Sequence, residues 1–201
     1  LQDNVERDDL AELEPSVYRE VEEQRNEILD ELKKAFEKAG LTAVINENTG
    51  EVTMDSNVLF ASGSYELSSE GKAYLDKVFA AYASVILDDK FSASLKDVSF
   101  EGNTDSDGGS EFNMRLSENR AKAVMGYCSD LLSADQRGAF DELAIWRGYG
   151  ESDLVYNERG KEDKDASRRV AIKFMMKVDG PAMETKPQSD SRDSSSSSAA
   201  S

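Results

Sequence analysis

Apolar residues recur at Leu10, Leu13, Val17, Val21, Ile28, Leu32 and Phe36 in a stretch that is otherwise strongly charged. Steps of three, four and seven put them on one side of a helix, so the spacing predicts a long solvated amphipathic helix from Asp3 to Lys38, stopped by Gly40. Gln24 interrupts the heptad register, and two arrangements fit: a parallel coiled-coil stalk, or a helix docked on the domain that follows. From Leu41 to Phe60, short β-prone runs flank Asn48-Thr49-Gly50, which predicts two strands joined by a tight turn. Ser68 or Ser69 then caps a helix whose inner face is Leu75, Val78, Phe79, Tyr82 and Ile86. Val98 and Phe100 mark a buried strand ending at Gly102, and Ser117 is placed to cap a second helix with Ala121, Val124, Met125, Cys128, Leu131 and Leu132 on one face. A strand follows in LAIWRGYG, then a polar loop or short helix from Glu151 to Ala166. A last strand, RRVAIKFMMKV, alternates Val170, Ile172, Phe174 and Met176 inward. Strands separated by helices imply βαβ units and an α/β sandwich, a mixed sheet with helices on one face.

The chain has 201 residues and is 38% hydrophobic, enough for one core with appendages. The expected organisation is a helical segment 1–40, a domain 41–178 and, from Asp179 onward, a disordered tail rich in serine and charge that buries too little apolar area to offset chain entropy. Between Asp3 and Lys38 there are thirteen Asp/Glu against six Lys/Arg, and the whole chain carries a formal charge of −17. A nucleic-acid partner is excluded on that ground, since binding phosphates needs a concentrated basic surface. Histidine is absent, which removes the usual general base, the nucleophile–histidine pairs and the commonest metal ligand. Cys128 is the lone cysteine and reads as core packing. No stretch reaches the ~20 apolar residues of a spanning helix. The chain opens on Leu1, so a processed or truncated product is expected, with any signal peptide or membrane helix upstream.

Candidate chemistry concentrates in GNTDSDGGSEFNMRLSENRA, Gly102 to Ala121. With Ser117 as a cap, Arg120 falls in the first turn of its helix, where the dipole favours anions, and a cation against that local preference marks function. An arginine and exposed helix N–H groups suit a carboxylate, and Asp105 suits an ammonium, so the pair fits a zwitterion. A salt bridge between Asp105 and Arg120 that merely pins the loop fits the spacing as well. Asn103, Asp105, Asp107, Gly108 and Glu111 also fall at positions of a calcium loop, but Met114 stands where the bidentate Glu belongs, and no metal site is assigned. A hydrolase built on two carboxylates is the enzyme alternative, although no acid pair stands out. Trp146 and Tyr156 read as core or rim packing, with sugar stacking as the other reading.

An ordered series of motifs across about 120 residues resembles the OmpA-like C-terminal domain, also found in MotB-type stator subunits. It comprises Leu59, Phe60, Gly63, Ser64 and Leu67; Gly102, Thr104, Asp105 and Gly108; Asn113, Leu116, Ser117, Arg120, Ala121 and Val124; Gly148 to Glu151; and Arg168, Arg169 and Val170. The resemblance implies a non-catalytic peptidoglycan-binding module of the periplasm or cell envelope, without a cofactor. By it, Asp105 and Arg120 hold the amine and carboxylate of diaminopimelate in the peptide stem. Thr104 and Arg168 lie at the same pocket, and Asn103, Asp107, Asn113 and Ser117 support the loop. Gly63, where outer-membrane relatives often carry Asn, leans toward the MotB type. That context implies a membrane anchor upstream and leaves a homodimer, through the N-terminal helix or the domain, as an option. Asn103 in place of the usual His, Ser167 in place of Asn, and the extra acids Asp107 and Glu111 depart from the pattern and are expected to tune affinity.

Overall fold

The computed structural model describes residues 15–178. At its centre is β2 (Leu95–Asn103), flanked by β4 (Arg169–Met176) and β3 (Ala144–Gly148), with β1 (Val52–Asp55) beyond β4, giving the order β1-β4-β2-β3. β4 is antiparallel to both β1 and β2, while β3 runs parallel to β2. The parallel pair requires a long crossover, and α5 (Ser110–Asp130) with α6 (Ala134–Leu143) supplies it. Alternation along the strands sends Val52, Met54, Val98, Phe100, Val170, Ile172, Phe174 and Met176 to one face, where all are buried. The other face is polar: Lys173 Nζ lies 2.8 Å from the Glu101 carboxylate, which also accepts from the Ser99 hydroxyl at 3.0 Å.

The helices cover the apolar face. Ser68 is the cap of α3 (Ser69–Ile86), its hydroxyl accepting from Gly71 N–H at 2.8 Å, and Leu75, Val78, Phe79, Tyr82 and Ile86 are buried as their spacing predicts. Phe140 of α6 sits edge-on to both Phe79 and Phe100, with centroids 5.4 and 5.9 Å away, joining helix layer to sheet. α1 (Pro15–Ala39) is docked along α3 by Ile28, Leu29, Leu32 and Phe36. Its flank is tied by Lys33–Glu47 and by Lys90–Glu27, both at 2.9 Å, the latter reaching α4 (Asp89–Ser92). Gly50 turns with φ +71 beneath this helix, where a Cβ would lie 2.6 Å from Phe174 and 3.0 Å from Leu29. The earlier part of the expected helix, with Leu10 and Leu13, and the expected tail 179–201 lie outside the described residues. No described helix is long and apolar enough to cross a membrane.

Four expectations are corrected. The hairpin before Phe60 is reduced to one bridge, Ile45–Val52, preceded by a 3-10 turn at Thr42–Val44. Ser56–Leu59 forms α2, not strand, because Asp55 accepts from Asn57 N–H at 2.7 Å and caps that turn. α6 was not anticipated, although Ser133 and Gln136 form a reciprocal capping box that announces it. Finally, Ser117 is no cap: α5 begins at Ser110, which puts Arg120 in its third turn, beyond reach of the dipole argument.

Candidate ligand cleft

Where β2 ends, its backbone continues as Thr104-Asp105, held by Thr104 N–H to Gly150 O (2.8 Å) and Tyr149 N–H to Gly102 O (2.9 Å). α5 crosses directly over this point. Gly102 and Gly148 face each other across β2 and β3, and a Cβ on them would meet the Ser117 carbonyl at 2.1 Å or Glu118 N at 2.6 Å. Only glycine permits so close an approach, and with it Ser117 acts as a brace and not as the cap its position in the sequence suggests. Its hydroxyl donates to Met114 O at 2.8 Å and accepts from Gly150 N–H at 2.9 Å, bracing the helix against the strand ends. Asn113, one turn earlier, donates to the carbonyls of Asp105 (3.4 Å) and Asp107 (3.0 Å) and to Glu151 (3.0 Å). Glu151 also accepts from the Ser110 hydroxyl, and these two bonds hold its carboxyl below the ordinary value.

The result is a cleft of about 420 Å³ lined by Asn57, Ser62, Gly63, Thr104, Asp105, Asp107, Phe112, Asn113, Leu116, Arg120 and Arg168. Six of the eight residues singled out from sequence line it; Ser117 braces it from behind, and Asn103 does not line it. Asn103 is the last residue of β2, opposite Arg169, with its Oδ1 buried and without a hydrogen-bond partner among the described residues. Ser167, the second departure, ends α7 (Lys164–Ser167) and accepts from Val155 N–H at 2.9 Å, fixing the segment that carries Arg168.

The charges are not paired as the simplest salt-bridge reading has it. Asp105 accepts from Asp107 N–H at 3.1 Å through one oxygen and pairs with Arg168 through the other; Arg168 also reaches Asp165. Burial works against the charge on Arg168, but Asp105 and Asp165 outweigh it and its pKa is raised. Arg120 is 5% exposed, and its hydrogen bonds run to backbone carbonyls: Nε to Ser64 O at 2.9 Å and Nη2 to Ala61 O at 3.5 Å. Its guanidinium lies over the Phe60 ring, 5.1 Å from the centroid, and no ion pair is made to it among the described residues. Burial, aided by Arg168 and opposed by Asp105, lowers its pKa, yet a guanidinium stays charged at any physiological pH. At the rim, Asp107 pairs with Lys164 at 2.5 Å, and Ser106 N–H donates to Glu162 at 2.9 Å. Glu151, Glu162, Lys164 and Asn57 are not legible as site residues, since their roles arise from segments brought together only by folding; Phe112 lies within the candidate stretch itself, where its apolar ring gives no signal of a polar site.

A mixed sheet covered on one face, with an acid–arginine cleft where the central strand meets the crossover helix, defines an OmpA-like domain. The model of the OmpA family matches residues 59–168, more than half the chain, and the chain belongs to that family. It is 33% identical over 144 residues to the Zorya protein ZorB of Escherichia coli, an alignment taking in 66% of this chain and 60% of that one. The chain therefore spans about 60% of the length of that curated relative. Among solved structures, a putative MotB like protein from Desulfovibrio vulgaris superposes with a TM-score of 0.57 at 20% identity, covering 79% of this chain and 95% of the other. The cell wall anchor of the T6SS from Pseudomonas aeruginosa gives 0.52 at 19% identity, covering 73% and 97%. These two likenesses are likenesses of fold.

Proposed function

We propose that this domain binds peptidoglycan without chemistry, holding the zwitterionic end of diaminopimelate in the peptide stem, and so anchors an envelope protein to the wall from the periplasm. The observation that carries this reading is Arg120, a buried guanidinium with five donors and no carboxylate within ion-pair reach among the described residues. A carboxylate entering the cleft supplies the missing anion, and bidentate contact with the planar fork fixes its orientation. Asp105, backed by Arg168 and by the Asp107 N–H, accepts from the ligand's ammonium, and Thr104 shares its wall of the cleft. In this arrangement binding requires no general base, nucleophile or cofactor.

The clearest test is retention on purified sacculi. Asp105→Ala and Arg120→Ala are each expected to weaken binding by about 2–5 kcal/mol, since each strands the opposite charge of the ligand in a desolvated site. Equal retention of both variants and wild type refutes the assignment. Free diaminopimelate is expected to compete, and an analogue amidated at its carboxylate is not.

A narrower reading rests on Gly63, which leans toward the MotB type: the domain is the wall anchor of a MotB-like stator whose membrane helix lies upstream. In that reading, residues 1–40 connect the anchor to the domain, and a homodimer forms through the N-terminal helix or the domain. Light scattering of the protein with its natural upstream segment tests it, a monomer counting against the stator.

A further inference from the structure

Phe112 is an apolar residue in the wrong place for a purely ionic site. It is 50% exposed, lies in the first turn of α5 and lines the cleft. One edge of the ring lies beside the loop, for a Cβ on Gly108 would lie 3.9 Å from Phe112 Cδ1, and the ring lines the cleft. Phe112, Leu116 and Arg120 are spaced by four, and on a helix rising ~1.5 Å per residue they form one column about 12 Å long, apolar for two positions and cationic at the third. Asn57, Ser62 and Gly63, which also line the cleft, offer no comparable apolar surface.

We propose that Leu116 and Phe112 form a specificity subsite for what is attached to the zwitterion: the methylene run of the diamino acid over Leu116, and the adjoining alanine-type residue of the stem peptide against the Phe112 ring. This rests on the zwitterion reading above and adds the direction in which the ligand leaves the ionic site. With the carboxylate on Arg120 and the ammonium on Asp105, whose carbonyl is held by Asn113 in the first turn, the remainder of the ligand passes toward the start of α5. There the half-exposed ring covers it from water. The column thus distinguishes an amino acid built into a peptide from the same amino acid free in solution.

The experiment is calorimetric titration of the whole chain with two ligands, free diaminopimelate and a muropeptide carrying the same residue in its stem. Phe112→Ala is expected to weaken the muropeptide about tenfold while leaving free diaminopimelate within about twofold, and Phe112→Leu to keep most of the difference, as an apolar shelf requires. Tyr156→Ala, which removes a ring that is 60% exposed and does not line the cleft, is expected to change neither. If Phe112→Ala weakens both ligands equally, or neither, the subsite is refuted while the ionic site stands. If the wild type binds neither ligand, the zwitterion reading falls and the subsite with it.

Discussion

Arg120 shows how one residue carries opposite consequences for stability and function. A desolvated guanidinium satisfied, among the described residues, by carbonyl oxygens is held at a cost, and in the proposed reading a carboxylate ligand relieves it. Its neighbour Ser117 has the opposite character, since its hydroxyl serves the fold: Ser117→Ala leaves the buried Gly150 N–H unpaired and is expected to lower stability by about 1–3 kcal/mol in urea titration. At Gly102, a methyl group would have to occupy the space of the Ser117 carbonyl, so Gly102→Ala is expected to cost about 3 kcal/mol or more by the same measurement. Asp105 and Arg120 are legible in the sequence, because their motif is local and ordered. The pairing of Asp105 with Arg168 is not, since it joins segments 63 residues apart and no local pattern encodes it.

Among the elements, α1 separates two expectations most sharply. A stalk would present its apolar stripe to a partner chain, whereas here Leu32 and Phe36 are fully buried on the domain, and Leu29 and Leu32 close over Gly50. Leu32→Ala is accordingly expected to destabilise the domain by about 2–5 kcal/mol, and a change near zero contradicts the docked helix. The start of α5 responds to acid. Glu151 is lowered by its bonds from Ser110 and Asn113, so its folded value lies below its unfolded value. Its contribution is present above the ordinary carboxylate value and lost as pH falls through the depressed folded one. Glu151→Gln is therefore expected to flatten the acid limb of a stability–pH curve followed by urea midpoints. Periodicity revealed the inner face of α3 and the alternation of β4, where one face is simply apolar. It failed before Phe60, where Asp55 capping outweighs the β-preference of the apolar run, and at α5, where Gly109 starts the helix two turns before Ser117.

For the whole molecule, the class of fold was legible because strands and helices alternate, but the order β1-β4-β2-β3 was not, since it depends on where β4 returns between β1 and β2. That return is what builds the site: it delivers Arg168, immediately ahead of β4, to the end of β2 beside Asp105, while the crossover brings Arg120 from the other side. In the proposed reading, the cleft keeps a buried cation for a ligand's carboxylate. The most direct test of that reading is calorimetric titration of wild type and Arg120→Met with a diaminopimelate-containing muropeptide, with thermal melts of both proteins. Arg120→Met is expected to lose binding by more than about thirtyfold while melting no lower than wild type, because the apolar stem remains and a charge without an ion-pair partner among the described residues leaves. Binding within threefold of wild type by a folded Arg120→Met protein would contradict it.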